Sequence, residues 1–242
     1  TEISHSESAP SSKKSRKTPG TITISSANSP MLFFRNSSYY LTEFSADWAR
    51  EGQMTYQQLQ FGKKIVDTKL GSRASMHAEP FFEIGLGGKA AEKGGDVLMG
   101  TIACTGNWRY TLEVDNAGAL RVLAGLNPTD ARYQLDAGKV FTTPEFIFTL
   151  SADGTGEGSR NLHGWARHYQ LRDGLKPRMT LLNNWENTSF FFNQDNLAAL
   201  MKEAATLGVD MFLLDDGWFG NDSHARNGDS AGLGDWEVNK KK

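Results

Sequence analysis

Met211-Phe212-Leu213-Leu214-Asp215-Asp216-Gly217-Trp218-Phe219-Gly220 is the stretch on which the reading of this chain turns. An apolar, strand-like run ends abruptly in two carboxylates, a glycine and two aromatic residues. Stability alone gives no reason for such an ending, because adjacent carboxylates repel one another and lose hydration when enclosed. Carboxylates beside tryptophan do suit a sugar pocket: they accept hydrogen bonds from hydroxyls, and the indole walls the C–H face of the ring. A second aromatic-rich ending, Leu181-Leu182-Asn183-Asn184-Trp185-Glu186, lies one helix upstream.

The segment between the two endings predicts that helix. From about Asp195 it places Leu197, Leu200, Met201, Ala204 and Ala205 on one side, with Asn193 or Asp195 as the N-terminal cap and Gly208 as the stop. Strand, helix and strand joined by short connections make a βαβ unit, which implies parallel pairing and a right-handed crossover. Ligand sites in parallel α/β folds lie at the carboxyl ends of the strands. A lone aspartate there reads best as a solvated rim residue. Two strand ends carrying aromatics and carboxylates make Trp185, Asp215 and Asp216 candidate site residues.

Asp215 and Asp216 do not read as a catalytic acid/base pair. A retaining glycosidase places its carboxyls about 5–5.5 Å apart on opposite sides of the scissile bond, and an inverting one places them farther apart. Neighbours on one strand either face opposite ways or crowd one side of a ligand. They are better suited to gripping hydroxyls.

Upstream, residues 21–151 show short strands with frequent turns. Thr21-Ile22-Thr23-Ile24 alternates, and Leu112-Glu113-Val114 returns through Asp115-Asn116-Ala117-Gly118 into Leu120-Arg121-Val122-Leu123-Ala124 as a hairpin. Further strands are predicted around 54–60, 80–86, 97–104 and 140–150, which together suggest an antiparallel sandwich. Over 152–177, Leu162, Trp165, Ala166 and Tyr169 mark one face of an amphipathic linker helix ended by Gly174 and Pro177. Residues 1–20, rich in Ser, Lys and Pro, read as a disordered tail whose Lys13-Lys14-Ser15-Arg16-Lys17 cluster is solvated.

Composition removes several classes. A net charge of −2 with 22% charged residues gives no reason to propose nucleic acid or an anionic membrane as a partner. The single cysteine, Cys104, excludes an internal disulfide framework and reads as an inert strand residue. No apolar run approaches the ~20 residues of a membrane helix, and no signal-peptide h-region is visible, so a cytoplasmic location is expected. Asn221, Asp222, His224 and Asp229 lack the spacing of a calcium loop and read as a solvated loop, and His77 reads as structural. With that loop read as solvated, no metal site is expected, and no phosphate loop, dinucleotide fingerprint or serine-nucleophile elbow is found.

Several of these motifs together resemble glycoside hydrolase family 36, the α-galactosidases or melibiases. They are Pro177-Arg178, Leu181 to Thr188, Leu214-Asp215-Asp216-Gly217-Trp218-Phe219-Gly220 and Leu233-Gly234-Asp235-Trp236. Asp47-Trp48-Ala49-Arg50-Glu51, Gly71 to His77 with Pro80-Phe81-Phe82, and Gly125-Leu126-Asn127-Pro128 extend the likeness upstream, to about residues 30–242. The resemblance implies a β-sandwich followed by a (β/α)8 TIM barrel and a C-terminal β-domain. It also implies cofactor-free, retaining hydrolysis of terminal α-galactosides such as melibiose and raffinose. On it, Asp215 and Asp216 bind galactose hydroxyls, Trp185 walls the pocket, and Trp218 and Trp236 support the loop.

The family's nucleophile, in a later Lys-Trp-Asp strand, and its acid/base aspartate have no counterpart here. A whole barrel takes ~250 residues, so residues 178–242 are expected to hold only its first βαβ unit. The expectation is an incomplete, inactive chain with no catalytic residue. Homo-oligomerisation of the parent enzyme and galactosyl transfer in place of hydrolysis stay open. The alternative is a non-catalytic sandwich module that binds glycans or a protein.

Overall fold

Alternation of apolar and polar residues builds the larger part of the molecule. The computed structural model describes residues 2–4, 20–71, 75–221 and 223–242, and the chain divides into two units, Thr1–Gly174 and Leu175–Lys242. In the first unit the strands are β1 (Glu2–Ser4), β2 (Thr21–Ile24), β3 (Asn28–Arg35), β4 (Tyr39–Ser45), β5 (Gln53–Gln58), β6 (Gly62–Asp67) and β7 (Phe81–Leu86). They continue as β8 (Asp96–Ile102), β9 (Trp108–Val114), β10 (Ala119–Leu126), β11 (Tyr133–Asp136), β12 (Val140–Thr142) and β13 (Phe146–Ser151).

Two antiparallel sheets, β3-β10-β9-β6 and β13-β8-β7-β4-β5, make the sandwich. Every second residue of β9 (Trp108, Tyr110, Leu112) and of β10 (Leu120, Val122, Ala124) is buried, and these meet Tyr39, Leu41, Phe82 and Ile84 of the other sheet in one cluster. Each such large side chain contributes roughly 1.5–3 kcal/mol by leaving water. The hairpin expected at 112–124 forms with Val114 opposite Leu120. Its turn is held by Asp115, whose Oδ1 accepts the N–H of Ala117 and of Ala119, each at 2.9 Å.

Strands β1, β3, β4, β6 and β11 lie outside the stretches that the sequence pattern predicts as strands. β6 opens Gly62-Lys63-Lys64; exposed Lys63 meets Glu113 and half-buried Lys64 meets Glu43 (2.8 Å each), and Val66 is the residue it buries in the core. Cys104 follows β8 and is half-buried at the edge of the core. His77, at φ 70°, donates its backbone N–H to the Ala46 carbonyl at 2.6 Å.

Helix α1 (Gly154–Trp165) and the π-helical turn Ala166–Gln170 occupy the segment expected as a linker, and α1 packs on β8 and β13 of the first unit. The packing face differs from the expected stripe. Leu162, Trp165 and Ala166 are only half-buried and Tyr169 is exposed, whereas Gly154, Gly156 and Gly158 are buried. A Cβ on Gly158 would collide with the Met99 Sδ, so the absent side chain lets the helix backbone lie against β8. With α1 on one face and the sandwich core on the other, Val97, Leu98 and Met99 are buried consecutively, without alternation.

Of the segment 1–20, Glu2–Ser4 pairs antiparallel with Val140–Thr142, and Gly20 precedes β2; the rest of the expected tail lies outside the described residues. Residues 72–74 and Asp222 lie outside them as well.

In the second unit, β14 (Leu181–Asn183), the single turn α2 (Trp185–Thr188), α3 (Gln194–Thr206) and β15 (Met211–Leu213) follow in order. β14 and β15 pair in parallel, Leu181 with Met211 and Asn183 with Leu213. Asn193 is the cap: its side chain accepts the Asn196 N–H at 3.0 Å while Asn196 returns the bond to Asn193 at 2.9 Å. At the entry to the strands, Asp210 accepts both the N–H and the hydroxyl of Thr180 at 2.9 Å, which holds its carboxyl below the usual range. The described residues form a sandwich and the opening of an α/β domain, with no closed barrel among them.

Candidate active site

Both aromatic–acidic endings emerge where β14 and β15 stop, side by side because the strands are parallel. Asn183 and Asn184 join them. Asn183 Nδ2 donates to Asp215 Oδ2 at 2.5 Å, and Asn183 Oδ1 accepts the Trp185 N–H at 2.8 Å. Asn184, fully buried, accepts the Asp215 N–H at 2.7 Å and donates to the Thr188 hydroxyl at 2.8 Å. Trp185 begins the α2 turn, half-buried, its ring edge-on to Phe190 with centroids 4.8 Å apart.

The two aspartates are turned to different partners. Asp215 Oδ1 takes the Asp216 N–H at 2.7 Å, and Oδ2 takes Asn183, so each oxygen keeps a lone pair for another donor. Asp216 is gripped by Arg226: Nε lies 2.9 Å from Oδ1 and Nη2 lies 2.7 Å from Oδ2. Asp216 Oδ1 also accepts the Gly217 N–H at 2.7 Å. The guanidinium hydrogen bonds hold the Asp216 carboxyl below its ordinary value, and the same pair raises Arg226.

Arg226 is itself fixed. Its side chain is 6% exposed, Nη1 donates to the Gly228 carbonyl at 2.7 Å and to that of Ala231 at 3.0 Å, and the guanidinium lies 5.4 Å and 5.9 Å from the Phe190 and Phe219 ring centroids. Lys242 closes the assembly. Its Nζ donates to the carbonyls of Phe190 and Gly217 at 2.8 Å and of Arg226 at 3.2 Å, above the Phe192 ring, and burial pushes its pKa down.

The loop after Asp216 doubles back. Gly220 donates to Glu237 at 2.8 Å, Asn239 donates to Trp218 at 3.0 Å, and Phe219 bridges to Val238. Trp218, Phe219 and Trp236 form an aromatic cluster with centroids 4.7–6.4 Å apart. Gly220 permits the reversal: at φ 90°, its missing Cβ would otherwise strike the His224 carbonyl. Asn221 organises the adjoining turn, accepting from the Ser223 N–H and hydroxyl and from the His224 N–H.

The structure thus brings Trp185 and Asp215 to one place through Asn183, and gives Asp216 a cation that sequence reading did not assign. A signal for it was present: Arg226 is the sole Lys or Arg between Lys202 and Lys240, and a carboxylate pair in partly enclosed surroundings calls for a countercharge.

The described residues thus give a sandwich and, in the second unit, a parallel strand pair whose ends carry two carboxylates and an indole. Residues 11–136 match the glycosyl hydrolase family 36 N-terminal domain, and residues 140–242 match the melibiase model. Alpha-galactosidase 2 of Hypocrea jecorina is 32% identical over 225 residues, covering 92% of this chain and 30% of that protein. The crystal structure of the Lactobacillus brevis α-galactosidase superposes with TM-score 0.83 at 30% identity, covering 93% of this chain and 30% of the other. A variant of the family 36 α-galactosidase AgaA of Geobacillus stearothermophilus, in complex with raffinose, superposes with TM-score 0.82 at 31% identity, covering 92% and 30%. The chain belongs to glycoside hydrolase family 36, and it spans about 30% of the length of the curated relatives it matches. Among the described residues no helix is long and apolar enough to cross a membrane.

Proposed function

We propose that these residues are the N-terminal sandwich and the opening of the catalytic domain of an α-galactosidase that removes terminal α-galactosyl groups, of the raffinose kind, with retention. Asp215 and Asp216 accept hydrogen bonds from galactose hydroxyls, and Trp185 walls the pocket. The observation that carries this reading is the joined strand end: Asn183 holds Trp185 and Asp215 together beside an Asp216 that is kept ionised. An ionised, oriented carboxylate next to an indole suits a polyol with an apolar face.

The bond-breaking step is a double displacement. One carboxylate attacks the anomeric carbon, the leaving oxygen takes a proton from a second carboxyl, and that group then activates water to release galactose. Asp215 and Asp216 fill neither role. They are adjacent and hydrogen-bonded to separate partners, and the Asp216 pKa is lowered, the wrong direction for a proton donor. The 242 residues by themselves are therefore inactive.

Hydrolysis of a chromogenic α-galactoside tests both statements. The 242-residue chain gives no turnover, and a chain extended through a complete catalytic domain gives turnover with retained configuration. Turnover by the 242 residues would overturn the assignment of Asp215 and Asp216 as binding groups. An extended, folded chain that ignores α-galactosides would overturn the substrate.

A further inference from the structure

We propose that Arg226 is a positioning residue of the sugar site, fixing the orientation of the Asp216 carboxylate so that it meets a substrate hydroxyl as an anionic acceptor. The inference rests on the reading of Asp216 as a galactose-binding group.

The geometry is that of a fork held at its base. Nε and Nη2 take the two oxygens of Asp216, while Nη1 is spent on the Gly228 and Ala231 carbonyls. The carboxylate plane is thereby coupled to the backbone of the 226–231 loop. A lysine would supply charge without the planar fork, so the two cations are not equivalent here. Phe190 and Phe219 flank the guanidinium, limiting water's access to the pair and strengthening it.

The remaining charges around Asp216 are Lys242, which favours its ionised form, the neighbouring Asp215, and Asp229, 3.7 Å from Arg226 Nη2 and open to solvent. Lys242 is engaged with three carbonyls. Arg226 alone among these cations donates to the carboxylate itself.

The test has two arms. In the 242-residue chain, carboxyl-carbon NMR follows Asp216 against pH in the natural sequence, in Arg226→Met and in Arg226→Lys. Asp216 titrates below the ordinary aspartate range in the natural chain, moves upward in Arg226→Met, and moves back toward the natural value in Arg226→Lys. Ordinary titration in the natural chain, which needs no variant to fold, overturns the proposal.

In a chain extended through the catalytic domain, Arg226→Met lowers kcat/KM for an α-galactoside about 100-fold, the order of loss that follows a small misplacement of a substrate-contacting group. The acid limb of kcat/KM moves to higher pH by the shift that NMR reads. Arg226→Lys restores the acid limb but not the full rate, because charge returns without the fork. A residue that merely anchors the loop would lower the melting temperature and leave the acid limb in place, and that result also overturns the proposal. If the natural extended chain does not act on α-galactosides, the functional reading fails while the titration arm still decides whether Arg226 controls Asp216.

Discussion

Asn183 reaches from the end of β14 to hold the Asp215 carboxylate at 2.5 Å, while its own carbonyl oxygen takes the Trp185 N–H at 2.8 Å. A single amide thus joins the two predicted ends of the site, and its donor and acceptor halves are both used. Asn183→Ala removes a hydrogen bond to a charged group, worth about 1.5–3 kcal/mol, and should lower kcat/KM of an extended, active chain by roughly 10–100-fold. Asn183→Asp sets a like charge against Asp215, so its loss should be the larger. Steady-state kinetics of both variants check this, and equal losses would contradict it.

The approach of α1 to β8 depends on Gly158, where a Cβ would meet the Met99 sulfur. Gly158→Val should destabilise the first unit by about 1–3 kcal/mol through overpacking. Met99→Ala alone leaves a cavity, and the double variant should recover part of the loss, since each change removes the other's conflict. Urea denaturation of the four chains measures the coupling; strict additivity would show that the two residues do not share the contact.

Acid should loosen the loop around Asp216. Its folded pKa lies below the ordinary value of 3.8 because Arg226 donates to it. The ionised pair therefore contributes fully above that ordinary value, and the contribution fades as pH falls from there through the depressed folded value. Trp218 and Trp236 sit in the same loop and report the change by fluorescence. Asp216→Asn should flatten that acid transition. A transition of unchanged size in Asp216→Asn would assign it to other carboxylates, of which Asp210 is the first candidate because Thr180 lowers it in the same direction.

Hydrogen exchange should separate the two units. Trp108, Tyr110, Leu112, Leu120 and Val122 lie in strands paired on both sides with buried side chains, so their amides should exchange slowest. In the second unit, among the described residues, β14 and β15 pair only with each other, and Leu181, Met211 and Leu213 are all more than two-fifths exposed, so those amides should exchange early. Native-like protection of β14 and β15 in the 242-residue chain would refute this.

Local chemistry made much of this legible. The hairpin at 112–124 announces itself through alternation and the Asp115–Gly118 turn, and α3 through its apolar side, Gly208 and the capping residues Asn193 and Asp195, between which the structure chooses Asn193. The strand end at Asp215-Asp216 was visible because an apolar run has no local reason to finish in paired carboxylates. What failed to show was set by distant partners. β6 carries lysines that look like loop until Glu43 and Glu113 stand opposite them. The helix at 154–165 was read by its apolar stripe, yet it packs through glycines, because what matters there is how closely a backbone can approach Met99.

The same division holds at the site. Sequence by itself determined that a sandwich precedes a βαβ unit and that Trp185, Asp215 and Asp216 stand at its strand ends, because period, caps and strand endings are local properties of the chain. Only the tertiary structure decided that Asn183 joins Asp215 to Trp185 and that Arg226, ten residues beyond Asp216, clamps it. A hydrogen bond depends on separation in space, and the doubled-back loop that brings Arg226 to Asp216 is fixed by aromatic packing and backbone pairing between Trp218–Gly220 and Glu237–Asn239.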